Sequence, residues 1–208
     1  MWRRARRWAP AEHMLAAVIL SGGSSSRMGS PKALLPYQGR PFLEHLLEVT
    51  VHAQIGVRRV VLGAHAEPIA KSIDLAADEI VINNEWEKGQ LSSIQAAIRS
   101  LPAGTDGLLL CLIDHPLISG DLVNELIEQF CVTRAKIVLP VYEGRRGHPV
   151  IFPALLYDEL LTAPMEKGAR AVVWAHTAEV LEVPTNEEGC VLNLNDPETL
   201  YRATGGED

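Results

Sequence analysis

Cysteine is scarce: the 208 residues hold only Cys111, Cys131 and Cys190. They are odd in number, widely spaced and without a Cys-x-x-Cys pair. That pattern argues against a disulfide framework or a zinc site and favours buried thiols in a reducing cytoplasm. No apolar run approaches the about 18–20 residues that a membrane-spanning helix needs, so no membrane partner is expected. Basic charge is short as well. Nineteen Lys and Arg face 26 Asp and Glu, for a net charge of −7, whereas nucleic-acid-binding surfaces are normally basic. Internal repeats, low-complexity tracts and linkers are lacking, which leaves a single domain. The Walker A spacing is missing too: Gly23 and Gly29 are separated by five residues, and Lys32 comes three after Gly29. The dinucleotide fingerprint also fails, because Gly22 and Gly23 are adjacent rather than alternating.

What is present is an ordinary soluble composition, 47% hydrophobic and 22% charged. Residues 14–208 read as one domain. Residues 1–13, with two Arg-Arg pairs between Trp2 and Trp8, read as a disordered extension or as the product of a start upstream of Met14.

The chain is organised around residues 15–32. Leu15 to Leu20 is a short, continuous apolar run, the pattern of a strand buried on both faces. It stops at Ser21, and small, polar and glycine residues follow. Gly22 and Gly23 allow positive φ and lack a Cβ, so their backbone N–H groups can press against a ligand. Arg27 and Lys32 add positive charge at the rim. Such a loop is a receptacle for phosphates.

Along the rest of the chain, Pro36 to Arg40 predicts a turn or hairpin. A helix is expected from Pro41 to about Ile55, with Phe42, Leu46, Val49 and Ala53 on one face and His45 and His52 as solvated histidines. Strands are expected at Val57–Leu62 and Glu79–Ile82, with a short helix around Pro68 and Ile69 between them. Leu91, Ile94, Ile98 and Leu101 form a helical stripe whose N-terminus, near Gly89, Gln90 and Ser92, exposes free N–H groups and hydroxyls. Ser92 and Ser93 serve there either a ligand or the helix cap. Gly107 to Ile113 predicts a central strand that ends at Asp114-His115-Pro116, and the C-terminal ends of central strands are where open α/β sheets place their chemistry. Ser119 caps the next helix, and Lys136–Val141 is a strand. Residues 143–152 make a hairpin-like excursion whose Arg145, Arg146 and His148 are locally basic and can receive an acceptor phosphate. Two short helices follow around Pro164 and Gly168, then a strand at Ala178–Val183, where antiparallel pairing is expected. Val191–Asn195 and the residues after it read as a strand and a C-terminal helix. The fold class is α/β: a single doubly wound, mostly parallel sheet with helices on both faces.

Residues Leu20 to Lys32 match Leu-x-Gly-Gly-x-Ser-x-Arg-Met-Gly-x-x-Lys. The stretch resembles the signature of the MobA-like nucleotidyltransferases, which activate molybdopterin with CTP or GTP. The likeness extends over about residues 14–202. It implies a Rossmann-like nucleotidyltransferase fold and a Mg²⁺ cofactor. Catalytic roles fall on Arg27, Lys32 and Asp114. Nucleotide contacts fall on Leu20, Ser21, Gly22, Gly23, Ser24, Arg27, Lys32, Gly89, Gln90 and Ser92. Asp114 sits in the family's Asp-x-Pro slot, where the acid holds Mg²⁺ against the triphosphate; on its own it can equally cap the following turn.

Arg146, His148 and Pro149 correspond to an acceptor-side Arg-Gly-His-Pro run seen in the CTP-using members. Leu20-Ser-Gly-Gly looks more like the GTP users, and the longer run tips the expectation to CTP. Near the C-terminus the chain departs from the family pattern. Asn195 stands where many members have a second metal-binding aspartate, with Asp196 beside it, so Asn195 and Asp196 share that expectation. The implied partners are the nucleoside triphosphate, a phosphorylated acceptor such as molybdopterin, and a client molybdoenzyme. A sugar-phosphate or polyol-phosphate acceptor is the neighbouring alternative. A non-catalytic nucleotide-binding or cofactor-delivery module is the alternative from another class.

Overall fold

The computed structural model describes residues 14–25, 28–133 and 136–204. The opening apolar run forms β1 (Leu15–Ser21), and the second one forms β6 (Gly107–Leu112). These two strands pair in parallel at the middle of the sheet, with Ile19 opposite Cys111. Both faces of each are buried because side chains alternate between two helical layers. Leu15, Ile19, Leu109 and Cys111 belong to one hydrophobic cluster. They pack with residues of α1 (Phe42–Val49), α2 (Ala66–Ser72) and α4 (Gly120–Thr133). Ala16, Val18, Leu108 and Leu110 belong to the other. Their neighbours come from α3 (Gln90–Ser100), α5 (Tyr157–Thr162) and α6 (Arg170–Ala175). Burial of each such Leu or Ile contributes about 1.5–3 kcal/mol, so the unbroken apolar composition of β1 and β6 places them at the centre.

The other strands are β2 (Pro36–Tyr37), β3 (Arg40–Pro41), β4 (Ile55–Leu62), β5 (Ile80–Ile82), β7 (Ile137–Tyr142), β8 (Arg145–Arg146), β9 (Val150–Pro153) and β10 (Val180–Pro184). The sheet order is β10-β7-β9-β6-β1-β4-β5, with β8 paired to β7, while β2 and β3 form the expected small hairpin. The doubly wound, mostly parallel α/β architecture is therefore present.

Three expectations are corrected. First, α1 ends at Val49, not near Ile55. Buried Thr50 terminates it, with Oγ1 2.8 Å from Leu46 O and 3.1 Å from Leu47 O, and the chain then turns so that Ile55 enters β4. Ala53 and His52 consequently lie off the helix, and His52 Nδ1 accepts a bond from Gln54 N at 3.1 Å.

Second, β10 pairs with β7 in parallel, and the antiparallel strand inside the sheet is β9. The chain reverses after β7 through Glu143 (φ 47°) and Gly144 (φ 76°), the left-handed pair of a tight hairpin. The run Val150-Ile-Phe-Pro153 is buried throughout, so it is inserted between β6 and β7 rather than left at an edge.

Third, Val191–Asn195 forms no strand. It crosses the C-terminal end of the sheet through single bonds, Leu194 N to Asp114 O at 2.8 Å and His148 N to Cys190 O at 2.8 Å, and then enters α7 (Pro197–Thr204).

Candidate functional site

The loop leaving β1 is shaped by close backbone approach rather than by positive φ at its paired glycines. Ala64 N donates to Gly22 O at 3.1 Å. A Cβ on Gly22 would lie 3.0 Å from Ser93 Oγ, and one on Gly63 would lie 2.4 Å from Gly22 O and 2.7 Å from Trp86 Cβ. The loop is thus pressed between the end of β4 and the start of α3. Gly23 has open space around its Cα. The left-handed conformation falls instead on Ser25 (φ 50°), whose Oγ accepts a bond from Lys32 N at 3.1 Å. His65 Nε2, 2.7 Å from Ser24 O, donates to that carbonyl.

A cavity of about 370 Å³ opens above this loop. Leu20, Ser21, Gly22, Gly23, Ser24, Lys32, Gly89, Gln90 and Asp114 all line it, which brings most of the expected nucleotide residues together. Arg27 lies outside the described residues. Lys32 Nζ is 3.9 Å from Asp114 Oδ2 and donates to Asn195 Oδ1 at 2.5 Å. The two ends of the proposed phosphate machinery, from β1 and β6, therefore meet.

Ser92 is turned inward. Its Oγ lies 2.9 Å from Glu85 O and 2.8 Å from Gly89 O, and it accepts from Asn83 Nδ2 at 2.9 Å. Ser93, which also accepts from Asn83 Nδ2, lines the cavity in its place. Neither hydroxyl caps α3, whose N-cap is Gly89 (φ 96°); Ser92 N is taken by Gly89 O at 3.1 Å, which leaves the N–H groups of Gln90 and Leu91 to face an anion. Ser93 takes the ligand-facing place that the sequence offered to either serine, whereas Ser25, Trp86 and Glu87 were missed as lining residues. Their signal was proximity to the glycine loop and the α3 start, which needs the β4–α3 contacts to be recognised.

Of the three residues expected at a metal, Asp114 alone lines the cavity. Asn195 is engaged by Lys32, and Asp196 caps α7, with Oδ1 accepting from Thr199 N at 2.8 Å and Oδ2 from Thr199 Oγ1 at 3.1 Å. Among the described residues no group of three His, Cys, Asp or Glu converges as a metal cage. One carboxylate on a cavity wall suits a hard cation that takes its remaining oxygens from phosphates and water, the usual habit of Mg²⁺.

A second cavity, of about 500 Å³, shares Gln90 with the first. Arg146 and His148 line it; Pro149 is buried and does not. His148 does not bring the positive charge expected of it. Burial pushes its pKa down to about 3, helped by His115, whose ring centroid is 5.1 Å away. Burial also lowers His115, against the opposing pull of Asp114. Arg146 is paired with Glu182 at 2.7 Å. Lys167, Arg170 and Trp174 complete this wall, and none was legible as a site residue before α6 was placed.

A family model described as the MobA-like NTP transferase domain matches residues 17–180. The chain belongs to that family. It is 30% identical over 198 residues to a molybdenum cofactor guanylyltransferase of Cereibacter sphaeroides, covering 91% of this chain and 95% of that protein. It is 28% identical over 197 residues to nicotine blue oxidoreductase of Paenarthrobacter nicotinovorans, covering 90% and 95%. Among solved structures it resembles Rv0371c from Mycobacterium tuberculosis H37Rv, with a TM-score of 0.79 and 26% identity over 93% of this chain and 98% of that one. A further structure of that mycobacterial protein is a complex with manganese. The MobA-like nucleotidyltransferase fold is thus common ground, and no helix among the described residues is long and apolar enough to cross a membrane.

Proposed function

We propose that the chain transfers a nucleoside monophosphate from GTP or CTP, with Mg²⁺, to a phosphorylated acceptor of the molybdopterin type and releases pyrophosphate. The observation that carries this reading is the meeting of Lys32 and Asp114, 3.9 Å apart on the wall of a cavity whose floor is the Gly22-Gly23 loop. The N–H groups of Ser21 to Ser24 and the first turn of α3 take the triphosphate oxygens. Lys32 stabilises the charge that builds on the departing pyrophosphate, and Arg27 is assigned the same role from the signature alone. Asp114, with phosphate oxygens and water, would hold Mg²⁺, which when bound there neutralises charge between two anionic substrates. An acceptor phosphate oxygen attacks the α-phosphorus, and the bond to the bridging oxygen breaks with its electron pair leaving on pyrophosphate. The acceptor oxygen is already anionic, so alignment rather than a general base is what the protein supplies.

The names of the relatives favour GTP, since a guanylyltransferase is among them at 30% identity. CTP is the second reading, favoured by Arg146-Gly147-His148-Pro149, three of whose members line the adjoining cavity. Pyrophosphate release, measured with Mg²⁺, molybdopterin and each triphosphate in turn, is the test. Release with one nucleotide, lowered roughly 100-fold or more by Asp114→Ala, is expected. Equal release with a sugar phosphate or polyol phosphate would replace the acceptor. Tight nucleotide binding without release under any acceptor would leave a binding module.

A further inference from the structure

The second cavity has a floor and a wall of different chemistry. Leu110, Leu139, Val150 and Phe152 form an apolar floor from β6, β7 and β9. The wall is the segment from Met165 to Trp174, which carries Lys167 and Arg170 against the single carboxylate of Glu166 and so is positive by one charge. Trp174 is 60% exposed and Met165 39%, so two of the few exposed large apolar side chains among the described residues border one cavity. The Arg170 guanidinium lies over the indole, 5.6 Å from the ring centroid. Among the described residues no salt bridge ties down Lys167 or Arg170, whereas Arg146 is held by Glu182. The wall itself is anchored: His176, at the end of α6, contacts Glu159 at 2.9 Å and Glu179 at 2.7 Å.

We propose that Trp174 and Arg170 form a clamp that selects the acceptor. The indole stacks on a planar heteroaromatic ring system, and Arg170 with Lys167 holds the polar or anionic edge of that ring. The phosphate of the same molecule points to the seam at Gln90, which borders both cavities. An exposed indole beside an apolar floor gains little from a polyol chain, whereas a flat ring covers both. A volume of about 500 Å³ is in the range that takes a ring system with substituents, about 300–1,000 Å³. Cations at the rim of a protein with net charge −7 mark the place where an anion is received. This inference rests on the first cavity being the nucleotide site.

Isothermal titration of the full chain with hydroxymethylpterin monophosphate and with glycerol phosphate tests it. The pterin ester is expected to bind at least about tenfold more tightly, the usual worth of one stacked ring. Trp174→Ala should lose about that factor, Trp174→Phe should recover most of it by keeping a flat face, and Arg170→Ala should lose about threefold. Equal affinity for the two phosphates, unchanged binding by Trp174→Ala, or a Phe variant as weak as the Ala variant would overturn the clamp. Titration of the wild type with GTP and CTP reads the first cavity by itself. Failure there would sink the nucleotidyl-transfer reading, while the pterin titration still judges the clamp.

Discussion

The ammonium of Lys32 is held at 2.5 Å by the amide oxygen of Asn195, 163 positions further along the chain. The segment that carries Asn195 is also tied to the acid loop, since Leu194 N donates to Asp114 O at 2.8 Å. One crossing strap therefore sets both the lysine and the carboxylate that face each other on the cavity wall. In this geometry the Asn195 amide oxygen faces the lysine ammonium, and a role in positioning Lys32 is what the following variants test.

That arrangement predicts a particular pattern of loss. Asn195→Ala should lower kcat/KM for pyrophosphate release about tenfold or more, the worth of a hydrogen bond to a charged group. The double variant with Lys32→Ala should be no worse than Lys32→Ala alone, because the amide acts through the ammonium. Additive losses in that cycle would show that Asn195 has a separate role.

Gly63 makes a second prediction. A Cβ there would meet Gly22 O at 2.4 Å and Trp86 Cβ at 2.7 Å, so Gly63→Ala must push the phosphate loop off the end of β4. The expected loss is about 1–3 kcal/mol in urea denaturation. Gly23→Ala, at a position with nothing within 4 Å of the added atom, should denature at close to the wild-type midpoint. Equal midpoints for the two variants would contradict the close approach.

The two halves of the site differed in how legible they were. β1 and β6 announced themselves because strands buried on both faces carry unbroken apolar runs; Asp114 follows β6 almost at once, and Lys32 closes the glycine loop that follows β1. Sequence spacing says which residues share an element, not which element enters a sheet antiparallel, so the insertion of β9 and the parallel pairing of β10 were not readable. The overlong α1 has a local cause. Ala53 continued the apolar period, and the departure of the backbone from helical geometry at Thr50 leaves no trace in periodicity. Arg170 and Trp174 stand four apart on a six-residue helix. That spacing puts them on one face but says nothing of the cavity the face borders. His148 looked basic beside Arg145 and Arg146, and only its burial in the fold removes the charge.

That burial gives the last prediction its sign. His148 titrates at about 3 in the folded chain, against an ordinary value of 6.5, because desolvation disfavours the imidazolium. Between those two values the unfolded chain binds the extra proton and the folded chain does not. Stability should therefore be intact above the ordinary value and should fall as pH drops below it, by about 1.4 kcal/mol per pH unit within the window. His115, lowered by its own burial, acts in the same direction. Urea midpoints measured at about pH 7, 6 and 5 should decline more steeply for the wild type than for His148→Leu, which has nothing to protonate. Parallel declines would mean that His148 already takes up a proton in the folded state, and that the second cavity holds a cation there after all.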